Sequence, residues 1–189
     1  MKKFNLIWGI IILNVLCYFI PEETVKMLVI DTSESSFSNM VMQFFTYMFI
    51  HHSVFHLVNN MIFLYVMGET LLIYIEKYII VWFYLQIGVV SGVLFYLLYT
   101  QLGVETKLMG SSAVLFGFLG YLTYIVPNKK VYILDKYSIK FLTFSIVMIF
   151  ICLIQMAFDY NFGGNMAHIF GYTIGLILSA ITKHIYNLK

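Results

Sequence analysis

The sequence predicts an all-α polytopic membrane protein: a single domain over residues 1–189, built as a bundle of six transmembrane helices. Three observations predict it. Of the 189 residues, 61% are hydrophobic and only 11% charged, where a soluble domain carries about 25% charged residues. Long apolar runs recur along the chain, and mean hydropathy is +0.90. Lysines gather in alternate loops, as they do in chains that cross a bilayer repeatedly.

The spans fall at about 4–20, 57–75, 78–98, 112–126, 139–158 and 166–185, with a long outer loop over 21–56. Lys2 and Lys3 followed by the first run resemble a signal sequence. No small-x-small cleavage site follows and five further spans do, so a retained anchor is expected. The outer loop is acidic and serine-rich, and its end, Met40–Ile50, is apolar and expected in the membrane interface or dipping into the protein. The second span opens on a histidine- and asparagine-rich stretch, and the third is almost wholly apolar. The fourth runs from Ser112 to Pro127, about 22 Å of helix at 1.5 Å per residue. The hydrocarbon is about 30 Å thick. This helix is too short to cross unaided, and the loop before it must dip inward, shielded by protein or a water-filled cavity. A lysine-rich loop separates it from the fifth span. In the sixth, counting back from Lys183 puts His168 at the depth of Ser112.

With the N-terminus inside, Lys2, Lys3, Lys77, Lys129, Lys130, Lys136, Lys140, Lys183 and Lys189 face the cytoplasm, and only Lys26 and Lys107 face out. Glu22, Glu23, Asp31, Glu34, Glu105 and Asp159 then fall outside. Both termini are expected to be cytoplasmic. The net charge of +2, with no arginine and no basic patch, argues against a nucleic-acid partner. Cys17 and Cys152 lie inside apolar runs and are read as core or lipid-facing residues.

Three stretches carry chemistry. In Gly110-Ser111-Ser112-Ala113 two hydroxyl residues stand at a loop-to-helix junction, near backbone N–H groups that lack intrahelical partners. A serine there is usually an ordinary helix cap. In the last span His168 is followed by Gly171 and Gly175 on one face, and Ser112, Phe116 and Gly120 share a face of the fourth. Small-residue faces let helices approach closely. Packing the two faces together brings Ser112 and His168 within reach, the geometry of a nucleophile and its general base, with the Phe116 ring one turn below to orient the imidazole. Helix packing alone accounts equally well for the glycines, and a histidine bonded between helices for His168. In the third stretch, His51-His52-Ser53-Val54-Phe55-His56-Leu57-Val58-Asn59-Asn60, His56 and Asn60 point the same way from the second span and can donate to an oxyanion. His51, His52, Ser53 and Asn59 are expected to line the access of water. A metal site on these histidines lacks carboxylate or cysteine ligands at suitable spacing, so no metal and no cofactor is expected. With no acid beside His168, the reading is a Ser–His dyad.

These three blocks together resemble the rhomboid family of intramembrane serine proteases over most of the chain. His51, His56 and Asn60 meet its His-x4-His-x3-Asn block. Gly110-Ser111-Ser112 meets its Gly-x-Ser-Gly block, with Ala113 in the last place, and Ala167-His168 through Gly171 and Gly175 meets its Ala-His-x2-Gly-x3-Gly block. The resemblance implies a six-helix core, cleavage of transmembrane protein substrates within the lipid bilayer, a dyad of Ser112 and His168, and an oxyanion hole of His56, Asn60 and the Ser112 N–H. It also implies substrates with small residues at the cut and an unstable helix near it. The chain departs from the pattern at Ala113, in lacking the family's glutamate shortly after the glycine matched by Gly68, and in lacking the first outer loop's arginine. Ala113 is harmless if helical and strained if that position needs φ > 0. Two rivals remain: a non-catalytic rhomboid-like protein that binds membrane clients, and a small transporter or channel. The arginine-free, Ile/Lys/Asn/Tyr-rich composition suggests an A/T-rich bacterial genome and a cytoplasmic membrane. Substrate identity and oligomeric state are not legible.

Overall fold

The computed structural model describes residues 6–133, 137–158 and 161–186. The expectations for Lys2, Lys3, Lys136, Asp159 and Lys189 lie outside the described residues. Helices dominate: α1 (Leu6–Cys17), α2 (Glu22–Leu28), α3 (Phe37–Thr46), α4 (Val54–Leu71), α5 (Lys77–Gln101), α6 (Ser112–Ile125), α7 (Phe141–Ala157) and α8 (Phe162–Tyr186). Two short antiparallel pairs join them. Strand β1 (Ile30–Asp31) pairs with β2 (Lys107–Leu108), and β3 (Lys130–Ile133) with β4 (Tyr137–Lys140).

Every expected span contains an apolar helix. By length and composition, three are sufficient to cross a bilayer: Val54–Leu71, Lys77–Gln101 and Phe162–His184. Helices α1, α6 and α7 are apolar but shorter. Helix α4 starts three residues earlier than the expected boundary because Ser53 caps it, its hydroxyl accepting from the His56 N–H at 3.2 Å. Helix α8 starts at Phe162 rather than 166. Helix α6 ends at Ile125, two residues before Pro127, as proline disfavours helical geometry in the residue before it.

Helix α6 is the centre of the bundle. Every residue from Ala113 to Thr123 is buried, and α4, α5, α7 and α8 all pack on it, α8 most extensively. Two polar links reinforce the packing: Tyr121 Oη to Thr182 Oγ1 at 2.9 Å, joining α6 to α8, and Thr123 to Ser145, joining α6 to α7. The outward faces of α1, α4, α5 and α7 stay apolar and exposed, among them Trp8, Leu16, Ile62, Trp82, Ile146 and Phe150. That is the reverse of a soluble protein's surface and suits contact with lipid tails.

The outer loop is more structured than its composition suggests. Its apolar end forms α3 and a 3₁₀ turn at Tyr47–Phe49. Tyr47, Met48 and Ile50 are buried there, so this segment enters the protein instead of resting in the interface. The Tyr47 hydroxyl donates to the Gly88 carbonyl of α5 at 2.8 Å, and the Tyr47 carbonyl accepts from the Gly110 N–H at 2.9 Å. The loop ahead of α6 is thereby anchored. Lys107 and Asp31 pair at 3.0 Å across β1 and β2. Burial pushes the Asp31 carboxyl up, but hydrogen bonds from Ser33 and Lys107 outweigh it and hold the group below its ordinary value.

Candidate active site

A cavity of about 630 Å³ opens beside the N-terminus of α6. Its wall includes His52, Ser53, His56, Asn59 and Asn60 from around α4, Ser112 and Phe116 from α6, Met148 from α7, and His168 from α8. A pocket of this size with a few convergent polar groups is the default binding site of a protein.

Close packing of α6 on α8 sets the central pair. A Cβ added at Gly171 would land on the Ala113 carbonyl, and one at Gly175 on the Gly117 carbonyl. Only glycine lets these backbones touch. At that separation the Ser112 Oγ lies 2.8 Å from His168 Nε2. The Phe116 ring stacks on the imidazole, centroids 4.3 Å apart and planes within 2°. The other ring nitrogen, Nδ1, faces Cys152 Sγ of α7 at 3.6 Å. Nothing in the sequence paired Cys152 with His168, since α7 is apolar along most of its length and carries no pattern that points Cys152 at a partner.

Ser111 sits beside Ser112 but is fully buried and does not reach the cavity wall. Ser112 opens the helix, and its N–H belongs to the first turn, where no preceding carbonyl is available. Gly110 has φ +105°, and a Cβ there would come within 2.8 Å of His56 Nε2. Conformation and space both require glycine at this position. Ala113 lies in the first turn of α6, and among the described residues only Asn161 is a non-glycine with positive φ. The alanine is therefore in its favourable setting, as a helical position predicts.

Proton directions in the α4 network follow from one acceptor-only atom. His51 Nδ1 lies 3.3 Å from the Phe49 carbonyl and His51 Nε2 lies 2.9 Å from Asn60 Nδ2. A carbonyl can only accept, so Nδ1 carries the His51 proton and Nε2 accepts from the Asn60 amide. The amide is then held with its NH₂ turned towards the imidazole. This requires a neutral His51, and burial, with a further push from the nearby His56, brings its pKa down to about 4. His51 is itself buried and absent from the cavity wall. The expectation that it lines water access is corrected: it braces Asn60 from behind. His52, Ser53 and Asn59 do line the cavity. His52 Nδ1 and His56 Nδ1 stand 2.8 Å apart. Among the described residues no three His, Cys, Asp or Glu side chains are grouped to hold a metal ion.

The sequence model of the Rhomboid domain matches residues 38–185. Comparison with curated proteins returns no significant match. The family model covers well over half of the chain, from the outer loop through the last helix, and the chain belongs to the rhomboid family. It is a multi-pass membrane protein of a family whose members are usually intramembrane serine proteases, although inactive members exist.

Proposed function

We propose that this rhomboid-family chain is an intramembrane serine endopeptidase that cleaves transmembrane proteins with a Ser112–His168 dyad. The observation that carries the reading is the 2.8 Å approach of Ser112 Oγ to His168 Nε2 in the wall of an accessible cavity. The Ser112 hydroxyl attacks the scissile carbonyl. His168 takes its proton and returns it to the leaving amine. His56, Asn60 and the Ser112 N–H stabilise the oxyanion, where one donor is typically worth about 10²–10³ in rate. Phe116 holds the imidazole plane, and Gly171 sets the distance between helices. Gly110 keeps room for His56, and His51 orients Asn60.

The dyad lacks a carboxylate, and the neutral imidazole suffices as a base near pH 7. The short α6 supports a site below the membrane surface: its 14 residues span about 21 Å of the roughly 30 Å hydrocarbon. Water reaches such a site from the cavity mouth, past His52, Ser53 and Asn59. A substrate helix has to unwind locally before its carbonyl is accessible. In lipid that step costs several kcal/mol for each backbone group left unpaired. The fuller architecture in this reading is a single domain of six spans, α1 and α4–α8, in a bacterial cytoplasmic membrane with both termini inside. Lysines supported by aromatic rings favour that orientation. Lys77 lies over Tyr78, Lys129 over Tyr74 and Lys183 over Tyr124, on segments assigned to the inner face.

A fluorophosphonate probe tests the function directly. It is expected to label Ser112 in the wild type and not in His168→Ala. Absence of label in folded wild-type protein argues for a non-catalytic member.

A further inference from the structure

The proposed oxyanion role requires a proton on one particular nitrogen of His56, and a hydrogen bond with His52 engages the ring's other nitrogen. The His52 and His56 rings lie with centroids 4.6 Å apart, and their Nδ1 atoms face each other at 2.8 Å. Two neutral imidazoles meeting nitrogen to nitrogen need one N–H and one lone pair. Two arrangements are therefore available. If His52 donates, His56 Nδ1 is the acceptor and the His56 proton sits on Nε2. If His56 donates, its Nε2 presents a lone pair instead.

Nε2 is the atom that matters. It is the His56 nitrogen beside Gly110, close enough that a Cβ on Gly110 would approach it to 2.8 Å. It therefore faces the loop that leads into Ser112. With its proton on Nε2, His56 donates to an oxyanion formed at Ser112; with a lone pair there, it repels one. His51 cannot make the choice. Both of its nitrogens are engaged, with Phe49 and Asn60, and its ring meets His56 at a steep angle of 65°. Among the described residues, His52 is the only side chain hydrogen-bonded to the His56 ring. His52 is exposed at the cavity rim, with its ring against that of His56.

We propose that His52 is a positioning residue: by donating from Nδ1 it holds His56 in the tautomer with its proton on Nε2, aimed at the oxyanion site. This rests on the protease reading. It differs from a water-lining role for His52, which would leave the His56 tautomer indifferent to the residue at position 52.

The test uses the full chain in detergent with ring-¹⁵N histidine, comparing wild type with His52→Phe, which keeps a ring but has no donor, and His52→Gln, whose amide can donate. In wild type, His56 Nε2 is expected to show a protonated, pyrrole-type ¹⁵N shift. In His52→Phe the two nitrogens should move towards an average of both tautomers. Turnover of a transmembrane substrate should fall about 5–10-fold in kcat with KM little changed, the scale of one hydrogen bond, and His52→Gln should recover most of it. A wild-type His56 protonated on Nδ1, or a His52→Phe variant with wild-type shifts and kcat, overturns the proposal. Fluorophosphonate labelling of Ser112 separates the two layers of argument. An unlabelled wild type removes the protease reading while the ¹⁵N shifts still decide the His52–His56 proton order. A labelled wild type with an indifferent His52→Phe removes only the role of His52. Thermal unfolding within a few degrees of wild type shows that each variant is folded.

Discussion

Gly171→Ala should disable the site from outside the cavity. The added Cβ falls on the Ala113 carbonyl oxygen and lies 2.7 Å from the carbonyl carbon. All of these are backbone atoms in the middle of the α6–α8 contact, so no rotamer change relieves the collision. Ordinary carbon contacts sit at about 3.5–4.0 Å, and α8 has to withdraw from α6 by about 1 Å to restore them. His168 lies one turn earlier on the same face of α8. Its Nε2 is 2.8 Å from Ser112 Oγ, and the same displacement stretches that bond to about 3.8 Å, beyond hydrogen-bonding range. A misplacement of about 1 Å at reacting groups costs roughly 10² in rate. Overpacking should also lower stability by about 1–3 kcal/mol. The assay is cleavage of a transmembrane substrate in detergent, with thermal unfolding of the same samples and Gly163→Ala as control. The atoms nearest to a Cβ at Gly163 belong to the Phe95 ring at 3.1 Å and the Tyr99 hydroxyl at 3.5 Å, side-chain atoms that can shift. Its activity should stay within about threefold of wild type, since a nearby accommodation costs well under 1 kcal/mol. If folded Gly171→Ala cleaves within threefold of wild type, helix separation does not set the Ser112–His168 distance and the argument is refuted.

Two further outcomes follow from the loops around the cavity. Gly110→Ala places a side chain at φ +105° and against the His56 imidazole, so kcat should fall at least tenfold, from strain of about 1–2 kcal/mol together with displacement of His56; wild-type kcat in a folded variant would contradict this. Stability should fall as pH drops. The pKa of His51 is lowered to about 4 in the folded protein, whereas the unfolded chain binds that proton near 6.5. Its contribution is present above pH 6.5 and is lost progressively as pH falls through 4. Thermal unfolding between pH 7.5 and pH 4.5 should show a smaller drop in midpoint for His51→Gln than for wild type, and equal drops would contradict the assignment.

Legibility followed the kind of signal each residue emits. Helix α6 was readable because its shortness against a fixed bilayer thickness is arithmetic, and because Pro127 punctuates its end. The faces of Ser112, Phe116 and Gly120, and of His168, Gly171 and Gly175, follow from helical period alone, and their meeting was foreseeable from glycine's lack of a side chain. The outer loop was less transparent. In sequence Met40–Ile50 suits either the interface or the interior; the interior wins through contacts such as the Tyr47 hydrogen bond to Gly88, a residue 41 positions away. Pairing of β1 with β2 joins two-residue strands too short to carry a periodic pattern. His51, His52 and His56 lie close together in sequence, where spacing to Asn60 singles out His56 but nothing separates His51 from His52; the structure buries the first and leaves the second at the rim. Cys152 had no sequence signal at all, because one polarizable atom on an apolar helix does not reveal which neighbour it faces.

The central claim is that Ser112, and not the buried Ser111 beside it, is a nucleophile. The most direct measurement is cleavage of a transmembrane substrate in liposomes by wild type, Ser112→Ala and Ser111→Ala. Wild type and Ser111→Ala are expected to cleave, with no cleavage above background by Ser112→Ala. Cleavage by Ser112→Ala at the wild-type rate would contradict the claim.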